Sequence, residues 1–305
     1  MTAHVAEHPP AAAKPTLRRR MAAAGWDRTT LLVVPAALFV LLLFIYPFVY
    51  GLILSFEPMK PEAGVFSNYA TFFSDPYLHD TIGTTMWLAL PATVLNMALA
   101  IPIAFRVRNL RWQRALTTIL VIPITLGTVL VAEGLLTYLG PQGWLNRALI
   151  ELGLTSGPLR LTHNYWGVFL SLVITGFPFV FLLTLSYVTG IDPALPAAAA
   201  TLGAGPGRQF RHIFLPLLVP GLAVAFCLAF VQAYSVFPSA VLLGAPAGPT
   251  RVISIAAYQA AFEQYDYSMA SAIAMIMAAV QLVVVVAVLA GRRLFYRGPM
   301  GSGKG

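Results

Sequence analysis

Six long apolar stretches constrain this chain more than any other feature of its sequence. They run approximately from 31 to 56, 82 to 105, 115 to 138, 165 to 188, 213 to 238 and 268 to 290. At about 1.5 Å per residue in a helix each reaches ~35 Å, enough to cross a hydrocarbon core of ~30 Å. Lipid offers backbone N–H and C=O groups no partner, so a lone stretch of this length satisfies them only as a helix. Charged residues make up 10% of the chain and apolar ones 58%, against about 25% charged in a soluble domain. The expected fold class is therefore all-α and integral to the membrane. Pro47, Pro91, Pro102, Pro123, Pro178 and Pro220 interrupt the stretches. Such kinks are tolerated where neighbouring helices take up the freed carbonyls. No internal repeat is visible, so residues 30–296 read as one six-helix unit between a basic, Ala/Pro-rich tail (1–29) and a short tail (297–305).

The basic residues set the orientation. With the N-terminus inside, 15 of the 19 Lys and Arg residues fall on the inner side. Only Lys60, Arg147, Arg160 and Arg251 lie outside, and the positive-inside rule then places both termini in the cytoplasm. The formal charge of +8 follows from this topology, which removes a nucleic-acid reading. Arg18–Arg20 precede the first stretch as they would a secretion signal, but that stretch is too long for a signal's apolar region of about 7–15 residues. It reads as the first membrane helix.

The segment between the fourth and fifth stretches has internal structure of its own. It reads GIDPALPAAAATLGAGPGRQFRHIFLP, residues 190–216, with the loop proper at 190–212. Asp192 and Pro193 are a plausible cap and first helical residue, though Pro196 favours a later start, at Pro196 itself. Ala197–Ala200 is strong helix former, and Gly203 ends it where a left-handed residue is expected. A short helix bracketed by glycines and lying on the inner face has the form of a docking element or of an interfacial helix.

This segment resembles the signature of ABC-importer permeases: E-A-A, three residues, G, nine residues, I-x-L-P. The frame here is Ala198-Ala199, Gly203, then nine residues to Ile213, with Leu215-Pro216 closing it. The signature's Glu falls at Ala197, and Asp192 can replace it only in its effect on the helix dipole. The outer segment GPQGWLNRALIELGL (140–154) is similar to first-of-pair permeases. VFPSAVLLGAPAGPT (236–250) and LGAGPGRQFRHIFLPLLVPG look most like the polyamine-type (spermidine/putrescine) branch. The resemblance implies a type I importer permease core in a bacterial inner membrane, with Ala197, Ala198, Ala199, Gly203, Ile213, Leu215 and Pro216 in a cytoplasmic coupling helix. It implies as partners a second permease subunit, with a heterodimer expected, two copies of a cytoplasmic ATPase and an extracytoplasmic binding protein. ATP and Mg²⁺ then belong to the ATPase, and this chain binds no cofactor. Importers of sugars, phosphonates or another small solute share the signature. A stand-alone secondary transporter or channel is the alternative of a different class.

The C-terminal GPMGSGKG (298–305) is nearly a phosphate-binding loop. Gly305 occupies the place of the Mg²⁺-holding hydroxyl, and no helix follows to aim N–H groups at phosphates, so a flexible tail is expected. The five His residues are scattered over both sides of the membrane, so no metal site is expected, and no catalytic constellation appears. Cys227 stands alone and is read as packing. Glu133 is the acidic residue within a span, about 27 Å from the helix's inner end by rise, where it can reach headgroup water or attract a cation at a pathway mouth. Asn96, Thr175, Gln232, Tyr234 and Ser235 are polar residues deep in spans. Gln232 and Tyr234, sharing the outer half of the fifth helix, are the substrate-path candidates with Glu133. The outer segments carry Glu57, Glu62, Asp75, Asp80, Glu151, Glu263 and Asp266 against four bases, which enriches cations there.

Overall fold

The computed structural model describes residues 32–58 and 64–295, with side chains described to Arg292. The expectations for both terminal tails, GSGKG included, lie outside these residues, as do Lys60 and Glu62. Among the described residues the regular structure is entirely helical, and six helices are long and apolar enough to cross a membrane.

The first, α1 (Val34–Ser55), belongs up to Ile53 to a unit of its own. Its apolar side chains are exposed along nearly the whole length. It contains a wide turn at Leu41–Ile45, where the Tyr46 N–H reaches back to the Leu41 carbonyl. The turn directly precedes Pro47, whose ring would otherwise press on the carbonyl four residues back.

From Leu54 onward the chain forms a packed body. Short α2 (Ser67–Ser74) leads into α3 (Pro76–Val107), six residues longer at its start than the apolar stretch. Asp75 explains the extension: its carboxylate accepts from the Tyr77 N–H at 2.9 Å, and Pro76 occupies the first turn, where no donor is needed. Helix α4 (Gln113–Leu139) is broken at Gly127, whose φ of 77° and ψ of 162° only glycine adopts readily. The Thr125 hydroxyl takes up the Ile122 carbonyl beside the break. A hairpin then carries α5 (Trp144–Glu151), and α6 (Tyr165–Thr189) follows with Asn164 as its cap. Beyond α7 (Ala194–Thr201) comes α8 (Pro206–Tyr234). Short α9 (Pro238–Leu243), α10 (Ile253–Tyr258, continued as a wide turn at Gln259–Glu263) and α11 (Tyr267–Phe295) complete the chain.

The fifth apolar stretch does not remain helical to 238, as the sequence reading expected. Helix α8 stops at Tyr234 and Pro238 starts a new one. A residue before proline is pushed out of the α region, and Phe237 sits at φ −132°, ψ −60°.

Helices α3, α6 and α8 pack against one another at the centre. Toward the α10 end the core holds Phe72, Leu88, Val168, Phe230, Ile253 and Ile273. Toward the α7 end it holds Met97, Ala100, Val180, Phe181, Phe214 and Leu218. Glycine permits close approach at Gly221, where a Cβ would lie 2.7 Å from the Tyr187 ring. Asn146, fully buried, ties the α5 hairpin together: its amide donates to the Leu139, Gly140 and Leu159 carbonyls and its oxygen accepts from the Leu159 N–H.

Candidate functional site

The 190–216 segment folds as two helices joined by a tight turn. Helix α7 begins two residues before Pro196, correcting the expectation of a start at that proline. A proline in the first turn forfeits an N–H that has no acceptor there anyway. Pro193 is the N-cap and brings no side-chain acceptor; Asp192, one residue earlier, supplies it, its Oδ1 accepting from the first helical N–H, that of Ala194, at 2.8 Å. Ala197 and Ala198 are exposed and Ala199 is half-buried; no residue of α7 is buried. At the other end Gly203 has φ +78°. Its N–H bonds the Ala200 carbonyl, and the Ala204 N–H reaches the Ala199 carbonyl, both at 3.0 Å. This pair of bonds is the Schellman closure, which needs a left-handed residue at that place.

The Gln209 amide donates to the Ala204 carbonyl, joining the turn to α8. Residues Phe210–Phe214 form another wide turn, in which the Leu215 N–H bonds the Phe210 carbonyl. As in α1, a proline follows at once: Pro216, whose ring is thereby relieved. Ile213 is half-buried, Leu215 exposed and Pro216 half-buried. The seven signature positions thus fall on one continuous piece of chain: α7, its closing turn and the start of α8.

Deeper in the body a cavity of about 250 Å³ lies where two spans are broken. Thr128 comes to it beside the Gly127 break, and Ser235–Ser239 beside the α8–α9 break. Irregular backbone at such depth is tolerated where it is buried in protein or lines a water-filled space. Asn96, Thr175 and Gln232 also line the cavity, and no charged side chain does. Asn96 is 3% exposed; its amide donates to the Leu172 carbonyl at 3.3 Å, and its Oδ1 has no partner among the described residues. Ser235 accepts from the Gln281 amide, and Ser171 pairs with Ser239 at 2.8 Å.

Of the three path candidates, only Gln232 lines this cavity. Tyr234 is fully buried, its ring 5.5 Å from Phe230 and packed in the core. Two residues along a helix turn a side chain by about 200°, so Gln232 and Tyr234 share depth but not a face. Glu133 is exposed on α4 and does not line the cavity. Asn96 and Ser235, noted from sequence only as polar residues in spans, belong to it.

A second cavity, about 430 Å³, opens at the α10 end and is lined by Asn68, Asp75, Asp266 and Arg251 among others. Arg251 is 5% exposed. Burial lowers its pKa, opposed by Tyr77, Asp75 and Glu263.

The family model described as "binding-protein-dependent transport system inner membrane component" matches residues 96–296. The spermidine/putrescine transport system permease protein PotB of Haemophilus influenzae is 28% identical over 179 residues, 58% of this chain and 62% of that protein. The chain therefore spans less than two thirds of that relative. A probable sulfate transport system permease protein, cysT of Prototheca wickerhamii, is 29% identical over 214 residues, 69% of this chain and 82% of that protein. Among solved structures, a chain of a bacterial alginate ABC transporter, in complex with an alginate pentasaccharide-bound periplasmic protein, superposes with a TM-score of 0.77 at 24% identity. The match covers 92% of this chain and 100% of that one. A chain of the inward-facing MetNI methionine ABC transporter matches at TM-score 0.58 and 15% identity, covering 72% of this chain and 97% of that one.

Proposed function

Because the chain belongs to the binding-protein-dependent transport system inner membrane component family, we propose that it is the membrane-spanning permease of an ATP-driven importer. The observation that carries this reading is α7 itself. The first half of the signature frame falls on a short exposed helix, held at its start by Asp192 and closed by Gly203, and the second half on the start of the membrane span that follows. In this reading α7 docks on a separate cytoplasmic ATPase, two copies of which serve a pair of permeases, and ATP binding moves α7 so that the spans alternate access. A binding protein delivers the solute at the α10 end. The decisive experiment is purification from the native membrane under mild detergent. An ATPase should accompany the chain and hydrolyse ATP; a chain that transports without one would be a stand-alone carrier.

The same reading fixes the orientation, with α7 inside. Single cysteines Ser67→Cys and Gln209→Cys in a Cys227→Ser background should react differently on intact cells. An impermeant maleimide is expected to label the first and spare the second, and labelling of the second would invert the topology.

For the solute we propose a polyamine-like cation. Support comes from the spermidine/putrescine permease among the relatives and from the carboxylates of the α10 end, where Asp75 and Asp266 line a cavity. The inner cavity, uncharged, would hold a solute by hydrogen bonds to Asn96, Gln232 and Ser235. Deleting the gene should lower spermidine uptake. Intact spermidine uptake with loss of sulfate, sugar or phosphonate uptake would assign another solute.

A further inference from the structure

We propose that Arg108 is a positioning residue for coupling. Its guanidinium, held on the rings of Phe105 and Phe214, locks the α7 end of α3 to the segment through which α7 enters α8. This rests on the importer reading above.

Arg108 caps the C-terminus of α3, where its N–H bonds the Ala104 carbonyl and where a cation is favoured by the helix dipole. Its guanidinium carbon lies 4.5 Å from the Phe214 ring centroid and 5.1 Å from that of Phe105. Both distances are within cation–π range. Phe105 in turn meets Phe214 and Phe210 edge-on, at 5.1 and 5.3 Å between centroids. Phe214 is 5% exposed and packs in one core cluster with Ala104 and Val107 of α3. The Arg108 Nε is buried without a hydrogen-bond partner, and among the described residues no carboxylate pairs with its side chain. A guanidinium held this way is there for the rings, not for an ion pair.

The position of the contact gives it a role. Phe214 is the unspecified residue of the I-x-L-P element and the last of the wide turn inside α8, between its first helical turn (Pro206–Gln209) and the rest of the span. A wide turn interrupts the regular helical ladder, and left alone it would absorb part of a displacement of α7. Clasped to Arg108 and Phe105, it passes the displacement to α3, the helix that carries Asn96 to the inner cavity. Arginine suits this contact and lysine does not, because only the planar guanidinium lies flat on one ring while meeting a second.

The test uses the complex purified with its ATPase, in lipid nanodiscs. Spin labels are placed through Asn109→Cys and Thr201→Cys in the Cys227→Ser background. Distances are read without nucleotide and with ATP plus vanadate. The parent should give one narrow distribution that shifts as a unit. Arg108→Ala and Phe214→Leu should each broaden it and reduce the shifted fraction roughly tenfold, within the range of packed coupling networks, with the ATPase still bound and hydrolysing. Phe214→Trp should retain the parent behaviour and Arg108→Lys should not. Combining Arg108→Ala with Phe214→Leu should add little to either alone, since both break one contact. An ATPase retained in every variant, with parent distances in Arg108→Ala or with additive losses in the double variant, overturns the clamp and leaves the importer reading standing. Absence of an ATPase from the parent preparation overturns the importer reading and the coupling role with it.

Discussion

Gly203→Val is expected to cut ATP-driven uptake roughly tenfold per assembled chain, because a branched side chain at positive φ costs about 1–2 kcal/mol. The cost is conformational and not steric. A Cβ built on Gly203 meets nothing within 4 Å, whereas its φ of +78° is one that L side chains rarely adopt, β-branched ones least of all. Helix α7 has little else to hold it. It spans eight residues, buries none of them, and depends on Asp192 at one end and the Gly203 closure at the other. Helices this short are marginal in isolation, so loss of the closure frays α7 before it meets a partner. Gly203→Asn tests the mechanism, since asparagine tolerates the left-handed region; it should keep most of the uptake. Membrane insertion should be equal for all three chains, because the spans are untouched. The measurement pairs uptake into proteoliposomes with the amount of ATPase retained on the permease. Equal uptake by the glycine and valine chains would separate the α7 closure from coupling.

The sequence made the closure legible because one residue decides it: a glycine after a run of alanines has few other uses. The spans were legible for a comparable reason, since hydropathy averages over many residues and survives local detail. Detail within the spans was not legible. Residues 235–238 are as compatible with an apolar run as the α8 residues before them, so the stretch concealed the break that shapes the inner cavity. Gly127 concealed the other break, because a glycine in a span is ordinary until its φ is known. Tyr234 looked like a path residue by depth, and depth says nothing about the face of the helix. Asn146 satisfies three carbonyls and one N–H of the main chain, partners without side-chain identity to read. The packing of Arg251 is the least legible of all. As one of four outer bases it counted toward topology, and yet it is buried.

Replacing Arg251 by methionine is expected to destabilise the protein by about 2–4 kcal/mol, since hydrogen bonds to a charged group contribute about 1.5–3 kcal/mol each. Its Nη1 donates to the Tyr77 carbonyl at 2.6 Å, and Nε and Nη2 both donate to Gln259 Oε1, at 3.0 and 2.7 Å. The guanidinium carbon also lies 3.7 Å from the centre of the Tyr77 ring. One side chain thus fastens the wide turn after α10 to the first turn of α3, two parts of the chain far apart in sequence. Methionine keeps most of the stem volume but offers no donor, leaving the Gln259 oxygen without this partner. Lysine keeps the charge and can serve one acceptor at a time, so Arg251→Lys should recover only part of the loss. In detergent the melting temperature of Arg251→Met should fall by roughly 5–10 °C, while Arg147→Met, at an exposed position of α5, should hardly change it. Salt distinguishes this contact from an ion pair. Among the described residues no carboxylate oxygen lies within 4 Å of Arg251, so the difference between parent and Arg251→Met should persist in about 1 M NaCl, where exposed ion pairs are screened. A difference that vanished in salt would mean that Asp75 and Glu263, not Tyr77 and Gln259, hold the arginine in place.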